Sequence, residues 1–303
     1  MSELKNKLNQ KIVIGTWSLS GDFGKVDKKT VYRSLEKCIE HNFLEFDTAP
    51  TYGGGIMHKI LADMVRHNKN IKINTKCGYD SNFIKTFKSS DIKRSIELSL
   101  NKFGKINTLF LHNPRNEIKN WTNMIAIINE YKKTNEIKKI GISLARDHYF
   151  EKNIMNKFDY LQDEINLFRP KNLDFLGSLK PKIMARSPLA SGCLSGKLTI
   201  NSKFILSDYR STWLSNKKRL KNILFQLNEI NKITNGKTRR FAKHFLLQNQ
   251  KIDKVIFGIK KPKHVYELLQ DIQNLEQKIK ELSKKIIELA NLNFNLDKNL
   301  TGY

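Results

Sequence analysis

Cysteine is scarce in this chain of 303 residues: Cys38, Cys77 and Cys193 are odd in number, widely spaced and without the paired spacing of a zinc site. That argues against a disulfide framework and fits reduced thiols in a reducing compartment. Acidic residues are few as well, 29 against 55 Lys and Arg, which leaves a formal net charge of +26. Long apolar runs are missing. Nothing approaches the roughly 18 residues of a membrane span, and "MSELKNKLNQK" lacks the apolar stretch of a secretory signal. A soluble, cytoplasmic protein is expected. No G-x-G-x-x-G follows a strand-like run and there is no P-loop, so two common phosphate-binding turns are absent. With no Pro- or Ser-rich linker either, residues 1–303 read as one domain.

The positive charge raises the question of a polyanion partner, since clustered Lys and Arg bind phosphate backbones by counterion release. The lysines are instead spread along the chain beside Asn and Ile, as in "NKNIKIN" and "NLDKNL", with no basic tail and no basic stripe alternating with aromatics. A solvated surface is the simpler reading, and no specific nucleic-acid partner is expected.

What is present is alternation. Short β-rich runs, "KIVIG", "FLEFD", "IKINTK", "TLFLH", "IKKIGIS", "FDYLQ", "KIMARSP" and "KVIFGI", are separated by segments of helical period such as "KKTVYRSLEKCIEH". Eight strands joined by helices over a chain of this length predict a closed (β/α)8 TIM barrel. Leu275, Ile279, Leu282, Ile286 and Leu289 recur at spacings of four and three, which predicts a carboxyl-terminal helix docked on the barrel. The stretch from Thr199 to Ser215 is the longest irregular one, and loops of that length are often functional.

In such a barrel chemistry collects at the carboxyl ends of the strands. The second strand leads to Asp47 with Tyr52 beyond it, the third to Lys76, the fourth to His112, the fifth to Ser143 and the sixth to Gln162 and Asn166. Singly, an Asp caps a turn and a Lys is solvated. Together Asp47, Tyr52, Lys76 and His112 form a chemical set. A tyrosine with pKa near ~10 exchanges protons poorly at neutral pH unless a cation favours its phenolate. Lys76 can be that cation, with Asp47 as its counter-charge. His112 can polarise a bound carbonyl. No nucleophile stands beside a base and no metal cluster is visible, which leaves a bound hydride donor as the natural partner.

These residues sit in segments, "IGTWSLSG", "FDTAPTYG", "INTKCG", "LFLHNP", "IKKIGIS", "LQDEINLF", "ARSPLASGCLSGK" and "VIFGIKKPKHV", that in this order resemble the aldo-keto reductase family over nearly the whole chain. The resemblance implies a barrel that binds a nicotinamide cofactor without a Rossmann domain. It implies Tyr52 as general acid/base, Lys76 and Asp47 as its tuning pair and His112 as the carbonyl-orienting group. It also implies that Ser143 and Gln162 hold the nicotinamide carboxamide, with Asn166 close by, and that Arg186 stands where the family often stacks an aromatic ring. Thr16, Trp17, Asp47, Ser187, Gly258 and His264 would line the cofactor, and Leu189, Ser191, Gly192 and Lys197 its pyrophosphate. Lys260 and Lys261 would pair with a 2′-phosphate, so NADP is expected, with NAD as the alternative.

Three departures stand out. Leu144 follows Ser143 where the family commonly has Asn, His58 lies near the place of an acid, and Leu268 occupies a position that often reads adenine. The expected activity is transfer of a hydride between NADPH and an aldehyde, ketone or sugar. Oxidation of an aldose at C1 is the enzymatic alternative, and a nucleotide-binding barrel with vestigial catalysis is the non-enzymatic one. Loops such as the one holding Tyr209, Arg210 and Trp213, together with Trp17 and the carboxyl tail, are expected to shape the substrate end.

Overall fold

The computed structural model describes residues 8–146, 148–170, 172–273 and 284. The five apolar positions from Leu275 to Leu289, expected as a docked helix, lie outside the described residues, as does the tail after them. Eight parallel strands close into a barrel in sequence order: β1 (Ile12–Gly15), β2 (Glu45–Asp47), β3 (Lys72–Cys77), β4 (Ile106–His112), β5 (Ile137–Ser143), β6 (Tyr160–Glu164), β7 (Lys182–Arg186) and β8 (Ile252–Gly258). The last strand pairs back onto the first, with Gly258 opposite Gly15. Each of the eight runs read from the sequence supplies one strand.

Strand side chains alternate between two environments, as a period of two requires. One set packs outward beneath the helices: Ile73 and Cys77 of β3 and Leu109 and Leu111 of β4 join a large cluster with Val31, Leu35 and Cys38 of the helix Lys28–Glu40. That helix starts where Asp27 accepts a hydrogen bond from Thr30 N at 2.8 Å, satisfying a backbone donor at its amino end. The other set forms a separate apolar plug inside the barrel, Val13, Phe110, Tyr160, Met184 and Ile256. Full burial of Phe110 contributes roughly 1.5–3 kcal/mol relative to exposure. Gly141 makes room for it, since a Cβ there would stand 2.5 Å from the Phe110 ring and 2.8 Å from Tyr160 O.

The same parity puts Asp47, Lys76, His112, Ser143, Gln162, Arg186 and Gly258 on the inward-facing set, above the plug, and Glu45, Asn74, Lys139 and Lys254 below it. A hydrogen bond from Gln162 on β6 to Asp47 on β2 crosses the interior. The stretch from Thr199 to Ser215 is less irregular than its composition suggests. It holds a short helix, Ser211–Leu214, a bridge between Asp208 and Phe23, and a bond from Tyr209 N to Asp22 O of 2.7 Å. Among the described residues no helix is long and apolar enough to cross a membrane.

Candidate active site

The carboxyl ends of β2 and β3 carry the first pair. Lys76 Nζ donates to Asp47 Oδ1 at 2.6 Å, to Thr48 O at 2.9 Å and to the Tyr52 hydroxyl oxygen at 3.2 Å. Tyr52 comes from the loop after β2, which folds closely over the loop after β1. Gly53 has φ of 59° and a Cβ there would meet Ser20 O at 2.6 Å, so the glycine after the tyrosine is required. The indole of Trp17 stacks on the Tyr52 ring with centroids 6.0 Å apart, and its Nε1 donates to Asp22 Oδ2 at 2.7 Å. His112, the last residue of β4, meets Tyr52 edge to face at 6.3 Å and Tyr79 at 5.2 Å. Its Nδ1 is buried without a hydrogen-bond partner.

The chain of bonds continues across the barrel. Asp47 Oδ2 accepts from Gln162 Nε2 at 2.9 Å, and Gln162 Oε1 accepts from Ser143 Oγ at 2.9 Å. Five of the residues singled out in the sequence are thus one hydrogen-bonded series, Tyr52, Lys76, Asp47, Gln162 and Ser143. Breaking the Lys76–Asp47 pair would leave an uncompensated buried charge, because the two side chains are only 2% and 5% accessible.

Electrostatics set the protonation states. Burial pushes the Tyr52 hydroxyl above its ordinary value; the Lys76 ammonium works against this and Asp47 with it. Lys76 does favour the phenolate, as the sequence suggests, but desolvation of the buried phenol is the larger influence and sets the net direction. For Lys76 burial is again the largest single influence and opposes the charge, but Asp47, Tyr52 and their hydrogen bonds together hold the ammonium above the ordinary lysine range. Burial, reinforced by Lys76, Arg186 and Lys85, keeps His112 well below the usual histidine value, hence neutral at pH 7.

Beyond β5 to β7 lies a second polar group. Arg186 donates from Nη2 to Leu144 O at 3.1 Å, and the carboxylate of Glu164 lies 3.9 Å from its Nη1 and 3.4 Å from Arg146 Nη2. Asn166 donates to Ser187 O at 3.1 Å. The backbone then turns left-handed at Ser187, Ala190, Ser191 and Gly192, three of them non-glycine, which costs free energy and is found where a loop must present its N–H groups to a ligand. At the far side Lys260 N donates to His264 Nδ1 at 3.2 Å, and burial, with Lys197 among the neighbouring charges, lowers the His264 value. Lys197 and Lys261 are exposed. Thr16 is fully buried with its hydroxyl bonded to Asp47 O at 3.0 Å.

This set fits a dinucleotide in kind. An amide and a hydroxyl stand together at one end of the path, a left-handed loop in the middle and a group of basic residues at the other, while His112 Nδ1 remains a buried polar atom in need of a partner. The model of the aldo/keto reductase family matches residues 11–287. The chain belongs to the aldo/keto reductase family. It is accordingly an NAD(P)H-dependent oxidoreductase. YcsN of Bacillus subtilis strain 168, an uncharacterized oxidoreductase, is 25% identical over 206 residues, 60% of this chain and 67% of its own. A glycerol dehydrogenase from Gluconobacter oxydans superposes with a TM-score of 0.75 at 20% identity, covering 93% of each chain. An aldo-keto reductase from Bacillus halodurans in its holo form does so with 0.69 at 17% identity, covering 91% of each. Both likenesses establish the fold.

Some residues of this aldo/keto reductase sit elsewhere than its sequence suggested. Trp213 is 1% exposed and part of the core, so it does not line the substrate end. Lys260 is only partly exposed and bonds Phe23 O through Nζ, drawn into the junction between the loop after β1 and the Asp208 segment. Leu268 is a core residue, and His58 is buried against Thr75 Oγ1 at 2.9 Å and the Phe103 ring. Cys77, beside Lys76, is buried and its thiol pushed up to about 12 by burial, so it is an unreactive core group. The sequence reading does not anticipate the places that Glu164, Arg146 and Tyr79 take. The two acids directly after Gln162 in "LQDEINLF" were the available signal, since one of them has the inward parity of Gln162.

Proposed function

We propose that this protein reduces the carbonyl of an aldehyde, ketone or sugar with NADPH, using Tyr52 as the proton donor. The observation that carries the reading is the direction of the bond between Lys76 and Tyr52. The ammonium donates to the phenol oxygen, so the hydrogen of the phenol is not used on it and is directed elsewhere. With the hydroxyl raised above its ordinary value, Tyr52 stays protonated at neutral pH and has a proton to give. As the proton leaves, the phenolate forms 3.2 Å from a fixed cation that stabilises it. Neutral His112, beside the Tyr52 ring, would hydrogen-bond the substrate oxygen through its imidazole.

NADPH, when bound, supplies the hydride. Ser143 and Gln162, at the ends of β5 and β6, would hold its carboxamide, and Arg186 would lie against the ring. The left-handed backbone at Ser187, Ser191 and Gly192, with Leu189 and Lys197, would take the pyrophosphate. Lys261 and His264, together with Lys260 from the junction, would meet the adenosine end, and the charge of the two lysines favours the 2′-phosphate of NADP over NAD. The reverse reaction uses the same atoms but begins from deprotonated Tyr52, which burial disfavours.

A fluorescence titration with NADPH and NADH, followed by aldehydes and sugars added to the tighter complex, tests the reading. Saturable binding of NADPH with substrate-dependent oxidation is the expected result. Binding of neither nucleotide would overturn it.

A further inference from the structure

Arg186 ends β7 on the inward parity, paired in register with Glu164 of β6. Its guanidinium is fixed from two sides, by Leu144 O after β5 and by Glu164, which is 3% exposed and also faces Arg146, itself 7% exposed. Glu164 Oε1 is held in turn by Asn166 Nδ2 at 3.3 Å. A guanidinium so placed is a permanent charge of fixed orientation, because arginine does not lose its proton in proteins. Its field reaches the reaction centre: it lowers both His112 and Tyr52.

The ring of a nicotinamide cofactor carries a positive charge when oxidised and none when reduced. A cation beside its seat therefore acts on the two forms unequally, and in a site of reduced dielectric that difference is not screened away. We propose that Arg186, oriented by Glu164 and supported by Arg146, discriminates the redox state of the cofactor, so that the site holds NADPH more tightly than NADP⁺. The inference rests on the seat formed by Ser143, Gln162 and Arg186. It makes Arg186 a specificity-determining residue, and Glu164 a positioning residue that moderates the same charge.

The signs are distinct for each group. Removal of the Arg186 charge relieves the penalty on the oxidised ring, Arg186→Lys keeps the charge, and Glu164→Gln removes a compensating negative charge and increases the penalty. The experiment is a titration of the full chain with NADPH and, separately, with NADP⁺ at low ionic strength, for the unaltered protein and these variants, with thermal melting as a check of folding. The unaltered protein is expected to favour NADPH at least tenfold, about 1.4 kcal/mol. Arg186→Gln should bring the ratio of the two dissociation constants close to one, Arg186→Lys should restore most of it, and Glu164→Gln should widen it.

Equal affinity of the unaltered protein for the two forms overturns the proposal even if no variant folds. A ratio unchanged in Arg186→Gln, with both nucleotides still bound, overturns it as well. If the unaltered protein binds neither form, the cofactor reading itself fails, and that result is recognisable before any variant is made.

Discussion

The two ends of the barrel contain the same three kinds of residue joined in different order. At the mouth, Lys76 stands between Asp47 and Tyr52, with its Nζ 2.6 Å from the acid, 3.2 Å from the hydroxyl and 5.0 Å from the ring centre. At the floor, the Tyr160 hydroxyl donates directly to Asp253, which also pairs with Lys182 at 3.0 Å, and Lys139 lies 5.0 Å from the Tyr160 ring centre. Burial pushes both phenols up, and at the floor Asp253 adds to the effect. The carboxylate occupies the proton of Tyr160. The ammonium leaves the proton of Tyr52 free to be given. Composition is shared, so under the proposed mechanism the order of connection is what would make one end an acid and the other a strut.

The sharpest way to break this comparison is to remove each hydroxyl. Tyr52→Phe should lower single-turnover oxidation of bound NADPH by about 10²- to 10⁴-fold while cofactor binding persists. Tyr160→Phe should leave the rate within twofold and cost about 1–3 kcal/mol in denaturant melts, because Asp253 loses a donor. Equal loss of rate in the two would show that connectivity does not separate the ends.

The lysines come next. Lys76→Met leaves Asp47 buried without its cation, and unfolding free energy should fall by about 3–5 kcal/mol. Lys254 pairs with Glu45 at 2.9 Å at the floor, but with its side chain 19% accessible. Lys254→Met should cost only about 1 kcal/mol, since the amides of Asn74 and Asn107 also donate to Glu45.

Mild acid should weaken the fold through its buried histidines. His58, packed against Thr75 on β3, is lowered to about 3, by burial first and then by Lys102 and Lys76, and His112 is lowered in the same direction. Above the unfolded value of 6.5 neither folded nor unfolded chain is protonated at these sites, and their contribution is complete. As pH falls below it, the unfolded chain takes up protons that the folded one refuses. Between pH 7 and pH 5 His58 alone should remove about 2 kcal/mol of stability. His58→Gln should flatten that slope in melts recorded across the range; an unchanged slope would mean that this imidazole is protonated in the fold.

The remaining test lies between the two ends. Gly141→Ala drives a methyl against Phe110 and the carbonyl of Tyr160, and melting should report a loss of about 1–3 kcal/mol with the rate per folded molecule little changed.

Much of this was legible before any coordinates. Runs such as "IKINTK" and "TLFLH" carry a period of two and are separated by amphipathic segments, and that repeated covalent pattern suffices for eight strands joined by helices. Asp47, Lys76, His112, Ser143 and Gln162 each close such a run or nearly so, which by itself puts them at one mouth once the barrel is closed. Other features are not local properties. Trp213 became core, Lys260 turned to the carbonyl of Phe23, and Arg146 and Arg186 came to share Glu164 because segments distant in sequence meet there. The direction of the Tyr52 shift was beyond the sequence for the same reason. A cation 24 residues away along the chain can be guessed from spacing, whereas the water removed from around a phenol depends on every element packed against it. Sequence alone determined which residues line the barrel and in what order they arrive; the tertiary structure decided which of them touch and how much solvent each retains, because contact and desolvation arise only when the barrel closes.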